Sequence, residues 1–226
     1  MSMDNSKNHL RWGDSNAKVM KLKAQFEKVL TFDLPAYQSA DGFRVCPGAG
    51  ACKGPCYAQQ GNYNFPNVKR NLEHNLAFAR RNIRSFTRAV ISDLARLKPN
   101  LIRLHSSGDF FNQAYLNAWF KVAKTFPGIR VYCYTKSLHL DFSGKPDNFA
   151  ITQSEGGIWD AQIDESKSHA RIFTSKYARL KAGYAQGSHS DLLAVNATDG
   201  TRIGLEYHGS KNLTDAQKKY FSGSDD

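Results

Sequence analysis

The chain has 226 residues, 41% hydrophobic and 23% charged, enough for one domain with a sizeable core. Lys and Arg outnumber Asp and Glu by 31 to 20, a formal net charge of +11, which favours a polyanionic partner, most simply nucleic acid. No apolar run approaches the roughly 18 residues of a membrane span, and the opening "MSMDNSKNHLRWGDSN" lacks the apolar stretch of a secretory signal, so no membrane partner and a cytoplasmic location are expected.

A single domain over 1–226 is expected, with 1–15 and 222–226 flexible. In chain order, 16–30 places Val19, Leu22, Phe26, Val29 and Leu30 at helical spacing, which predicts an N-terminal helix. The run "GFRVC" reads as a short strand that leads into a cysteine-rich loop. Residues 67–97 read as one long helix or two, with Asn67 as N-cap and Pro99 just past the end. The pattern then alternates, with strands at 101–106, 129–135, 149–154 and 170–175 and a helix at 113–126 capped by Asn112. Residues 191–197 and 202–209 flank Thr198-Asp199-Gly200-Thr201, a hairpin signal. The fold class is therefore α/β with largely parallel strands: a compact or partial TIM-like barrel first, an open three-layer sheet second.

Parallel α/β folds put their sites at the carboxyl ends of strands. Those ends carry Ser107-Gly108-Asp109, Thr135-Lys136, Ser154-Glu155-Gly156-Gly157 and Thr174-Ser175-Lys176. Asp109 is the first catalytic candidate, a carboxylate beside Phe110 and Phe111 that suits a proton carrier or a nucleophile. Lys136 suits stabilisation of developing negative charge, and Glu155 or Asp160 a second acid/base. Ser107, Gly108, Phe110, Thr135, Tyr57 and Gly156 are candidate substrate contacts. With Tyr57, Phe110, Phe111 and Tyr134 as possible stacking faces, core packing is an equally good account of each aromatic. Lys69, Arg70, Arg80, Arg81, Arg84 and Arg88 form a basic series for phosphate contacts.

The loop "CPGAGACKGPCYA" holds Cys46, Cys52 and Cys56 with spacing Cys-x5-Cys-x3-Cys. A disulfide would leave one thiol over. A metal ion, zinc first, needs a fourth ligand from Cys133, His105, His74 or His208. An iron–sulfur cluster is the alternative, and three thiolates leave one iron open. Three reduced thiols in a buried loop remain the simplest account without metal.

This cysteine loop, with "RLHSSGDFF" and "YCYTKS", resembles a phage-encoded family that carries no assigned function. Cys56-Tyr57-Ala58, Gly108-Asp109 and the "YTK" strand end also resemble distant radical S-adenosylmethionine proteins, whose usual spacing is Cys-x3-Cys-x2-Cys. The Ser-Gly-Asp strand end, the basic charge and the inferred barrel resemble phage DNA-guanine transglycosylases, compact relatives of the tRNA-guanine transglycosylases. That second resemblance implies an enzyme that exchanges guanine for a 7-deazaguanine in DNA, through attack by a carboxylate on C1′ of the nucleoside. The substrate would be single-stranded or locally opened DNA with a small 7-deazaguanine base, in the host cytoplasm. The preferred expectation is this base exchange. Its rivals are a radical-type iron–sulfur enzyme and a non-catalytic, metal-stapled nucleic-acid-binding module.

Overall fold

The computed structural model describes residues 9–207, 213–215, 218 and 221. Its frame is one eight-stranded, mostly parallel sheet with six helices. The strands are β1 (Trp12–Gly13), β2 (Val29–Phe32), β3 (Leu101–Leu104), β4 (Arg130–Thr135), β5 (Phe149–Ser154), β6 (His169–Phe173), β7 (Ala185–Gln186) and β8 (Arg202–Glu206). The helices are α1 (Ala17–Leu22), α2 (Pro66–Arg81), α3 (Ile83–Leu97), α4 (Gln113–Thr125), α5 (Lys176–Lys181) and α6 (Leu192–Val195).

The sheet order is β1-β2-β3-β4-β5-β6-β8-β7. From β2 to β6 each strand lies parallel beside its successor, in register Leu101↔Val29, Leu101↔Arg130 and Val131↔Phe149. Among the described residues the one antiparallel strand pair is β1 with β2, which sets Trp12 opposite Phe32. The ends of the order, β1 and β7, are not paired with each other among the described residues, so no closure into a barrel is seen there.

Strand side chains alternate between two faces. Ile102, Leu104, Val131, Cys133 and Phe149 pack on Phe86, Val90 and Leu94 of α3 and on Tyr115, Leu116 and Trp119 of α4. The intervening Leu101, Tyr132, Ala150, Ala170 and Ile203 pack on Val19 and Leu22 of α1 and on Ala194 and Val195 of α6. Helices thus cover both faces. Where the second face continues towards the carboxyl ends of the strands, polar residues replace apolar ones, beginning with Thr31 and Arg103.

Local chemistry explains most element boundaries. Asn82 adopts an extended conformation and its side chain accepts from Ser85 N at 2.9 Å, so the 67–97 region divides into two helices. The first begins with Pro66 rather than at an Asn67 cap. Asn112 caps α4 by accepting from Tyr115 N. Three expectations are corrected. The N-terminal helix stops at Leu22, and Val29 and Leu30 belong to β2, because pairing with β3 outweighs their helical spacing. Residues 192–195 form α6 instead of a hairpin strand, and Thr198–Thr201 turns from that helix into β8. "GFRVC" makes only an isolated bridge, Gln38 with Arg44. Of the ends expected to be flexible, 1–8 and 222–226 lie outside the described residues, whereas Leu10 is buried and Trp12 is in β1.

Candidate functional site

Because β2–β6 and β8 run parallel, the segments that leave them gather on one rim. A cavity of about 940 Å³ opens there. The cysteine loop leaves β2 and crosses this rim to the β5–β6 connection. Ile158 N donates to Gly48 O and Cys52 N donates to Gly156 O, each at 3.0 Å, and Ala49 bridges Gly157. The crossing is close: a Cβ on Gly48 would lie 2.1 Å from the Lys136 carbonyl oxygen. That contact gives one glycine of the loop a specific reason.

Cys46, Cys52 and Cys56 all line the cavity, and all three are free thiols of intermediate burial. Tyr37 N donates to Cys46 Sγ at 3.2 Å. Burial, helped by the charge of Asp109, pushes the Cys46 thiol well up, and burial also raises Cys56. The Cys46 and Cys56 thiols are therefore held in their protonated form and are poor nucleophiles unless a metal displaces the proton. As the side chains stand, no group of three or more His, Cys, Asp and Glu among the described residues is placed to hold a metal ion. Of the expected fourth ligands, Cys133 is buried in the core on the other face of the sheet. His74 Nε2 contacts the His9 carbonyl oxygen at 2.9 Å, and His208 lies outside the described residues. His105 does line the cavity.

Asp109 also reaches the cavity, but its carboxylate is engaged. Oδ1 accepts from Phe110 N (2.8 Å) and Thr135 Oγ1 (2.6 Å), and Oδ2 accepts from Lys136 N (2.8 Å). Burial raises its pKa, and the three donors act against that rise. The arrangement ties the exit of β3 to the exit of β4. Gly108 makes the turn possible with φ +88°, and a Cβ there would lie 2.6 Å from Leu34 Cβ. Lys136 Nζ donates to Ser154 Oγ at the cavity wall.

The cavity also gathers Ser107, Thr135 and Tyr57 from the expected set, and Tyr134 beside them. Other candidates lie elsewhere. Glu155 is not a cavity residue: it pairs with Arg171 Nε at 3.2 Å and accepts from Tyr184 OH at 3.1 Å. Asp160 accepts from Gly156 N and Gly157 N and so closes the turn beneath the cysteine loop. Gly156 supports that loop, with its Cβ position 3.4 Å from Cys52 Cβ. Phe110 is fully buried against His105, and Phe111 stacks on Tyr115 at 4.4 Å, so both serve the core. The six basic residues of α2 and α3 are all exposed, with Arg80 paired to Asp41. At 100° per residue, Lys69, Arg70, Arg80 and Arg81 centre about 170° around α2 from its cavity-lining Val68, Asn71, Leu72 and Asn75. The basic series and the cavity are thus on opposite sides of the helix.

The expectations omitted a buried charge network beneath the cavity, which reaches the cavity wall through Lys18 and Arg103. Asp191 forms an ion pair with Arg103 Nη1 at 2.9 Å, and accepts from Lys18 Nζ at 2.9 Å and from Tyr132 OH at 3.1 Å. Burial opposes ionisation of Asp191, but the charges of Arg103 and Lys18 and the hydrogen bonds from Lys18 and Tyr132 prevail and hold its carboxyl below the usual range. Asp33 accepts from Thr31 Oγ1 at 3.1 Å and Ser107 N at 3.3 Å, and burial raises its pKa. A signal for this network was available: Arg103 interrupts the apolar strand "LIRL", and a charge there needs a partner if the strand is buried.

No helix among the described residues is long and apolar enough to cross a membrane. No solved structure matches the chain. The Gene 88 protein of Mycobacterium phage L5 is 30% identical over 201 residues, which cover 77% of this chain and 82% of that relative. The Gene 88 protein of Mycobacterium phage D29 is 27% identical over the same coverage. The family described as "Gene product 88" matches residues 5–223, and the chain belongs to that family.

Proposed function

We propose that this gene product 88 protein is an iron–sulfur enzyme of the radical S-adenosylmethionine type, with Cys46, Cys52 and Cys56 as the cluster ligands. One observation carries the reading: a single loop delivers three thiols to one large cavity at the carboxyl ends of parallel strands. The strand order supports it, since β2 to β6 follow one another as in an unrolled half-barrel.

The donor set suits a cluster better than zinc. Three cysteines leave a structural zinc ion one ligand short of its usual four, whereas a cluster held by three thiolates keeps one iron open for a further ligand. When bound, such a cluster supplies one-electron chemistry. The chain's own residues then have separable tasks. Gly48 and Gly156 let the loop seat against the exits of β4 and β5, and Lys136, held by Ser154, contributes a positive charge to the same wall. Because burial keeps Cys46 and Cys56 protonated, loading releases protons and is favoured by higher pH.

Base exchange on DNA is the second reading, and Asp109 at the cavity favours it. It requires a carboxylate free to attack, and three donors already occupy this one. The test is anaerobic reconstitution with iron and sulfide. The expected product is brown, absorbs near about 400 nm and binds roughly three to four irons per chain. Each of Cys46→Ser, Cys52→Ser and Cys56→Ser lowers the iron content. Colourless protein, or full iron in all three variants, overturns the reading. Incorporation of labelled 7-deazaguanine into DNA by iron-free protein establishes base exchange instead.

A further inference from the structure

We propose that the floor of the cavity, built on Arg103, Ser106 and Ser107, anchors an oxyanion: the phosphate or carboxylate of a small-molecule ligand. This deepens the functional reading by giving its substrate an anionic group, and it rests on that reading's placement of the active site in this cavity.

The observation is a run of unspent hydrogen-bonding capacity. Arg103 Nε, His105 Nδ1, Ser106 Oγ and Ser107 Oγ are buried and make no hydrogen bond within the protein. All four residues line the cavity, and all are 6% exposed or less. Buried polar atoms are nearly always paired, so four unpaired ones within five consecutive residues need an explanation that packing does not provide. These residues follow one another out of β3, where His105 takes a left-handed φ of 61°. A non-glycine residue in that region is uncommon and tends to mark a functional constraint.

The chemistry favours an anion. A guanidinium only donates and stays charged, and serine hydroxyls can donate alongside it. The ion pair with Asp191 engages Arg103 through Nη1 and leaves Nε without a hydrogen-bond partner. The nearby Asp33 is pushed towards its neutral form by burial, which lessens the opposing charge. Tyr57, whose hydroxyl donates to the Ser106 carbonyl oxygen, joins this floor to the cysteine loop. A ligand held here by its anionic group would extend from the floor towards the three thiols.

The experiment is isothermal titration of the full chain with inorganic phosphate and, separately, with malonate, at constant ionic strength set with chloride. Wild type is expected to bind one of them saturably at one site. Arg103→Gln and the double variant Ser106→Ala/Ser107→Ala are each expected to weaken that binding by about ten-fold or more, as for loss of a charge-assisted hydrogen bond. Preference for phosphate indicates a nucleotide-like ligand, and preference for malonate a carboxylic acid. Either supports the site. Absence of saturable binding, or wild-type affinity in the double serine variant, overturns it. The serine pair decides if Arg103→Gln does not fold. Iron content and absorbance are read on the same preparation after anaerobic reconstitution with iron and sulfide, so protein that stays colourless yet binds phosphate refutes the cluster and leaves the anion site standing.

Discussion

Replacing Asp109 by Asn separates its two possible roles, because the amide keeps the shape and reverses one hydrogen-bonding edge. In the wild type Oδ1 takes two donors and Oδ2 takes the Lys136 N–H. The amide oxygen can keep the Phe110 and Thr135 donors, which leaves its NH2 facing the Lys136 N–H. One charge-assisted bond is lost, the remaining two weaken, and two buried donors oppose each other. Together these cost about 3–5 kcal/mol. For a chain of this size that lowers the unfolding midpoint by roughly 6–11 °C. Urea unfolding followed by circular dichroism gives the free energy, and a thermal scan gives the midpoint. A variant that unfolds within about 2 °C of wild type would refute the bracing argument. If such a variant had also lost turnover, Asp109 would return to the mechanism as a nucleophile or base.

His105 predicts a pH-dependent loss of stability. Burial lowers its folded pKa to about 3, while the unfolded chain protonates it near 6.5. A depressed base contributes stability that is intact above about pH 6.5 and is lost as pH falls towards 3. Between pH 7.5 and 5.0 this amounts to about 2 kcal/mol. His105→Asn, which tolerates the left-handed backbone, should lose that much less than wild type over the same interval in urea titrations; identical pH slopes would show that His105 is not the source. Asp191→Asn leaves buried Arg103 and half-buried Lys18 beside a neutral amide, with an expected cost of about 3–5 kcal/mol. A change under about 1 kcal/mol in chemical denaturation would mean that Asp191 does not neutralise those cations.

The local content of the chain was legible where short-range rules apply. Asn112 before an amphipathic run specifies the start of α4, and the strands at 130–135 and 149–154 read directly from their β-branched and aromatic residues. The expectation that strand exits converge on one rim follows from parallel order alone, and Ser107, Asp109, Thr135, Lys136 and Ser154 do meet there. Local rules failed where local and long-range preferences compete. Val29 and Leu30 fit a helix by spacing, and the edge of β3 recruits them into the sheet. Residues 191–197 look strand-like in composition, yet α6 forms because Ala194 and Val195 fill the floor against Ala150 and Ala170.

The sequence by itself determined the α/β class, the largely parallel strands and the gathering of three thiols in one Gly/Pro-rich loop, because these depend on periodicity, turn chemistry and density along the chain. Only the tertiary structure decided which polar groups are free to act. It showed that Asp109 and Asp160 spend their carboxylates on turns, that Glu155 faces Arg171, and that the basic side of α2 turns away from the cavity. It also brought Lys18, Arg103 and Asp191 together in one ion-pair network. The reason is physical. A hydrogen bond or ion pair between residues far apart in sequence depends on how the sheet is ordered and how its faces are covered, and no local pattern records which of several available partners will be reached.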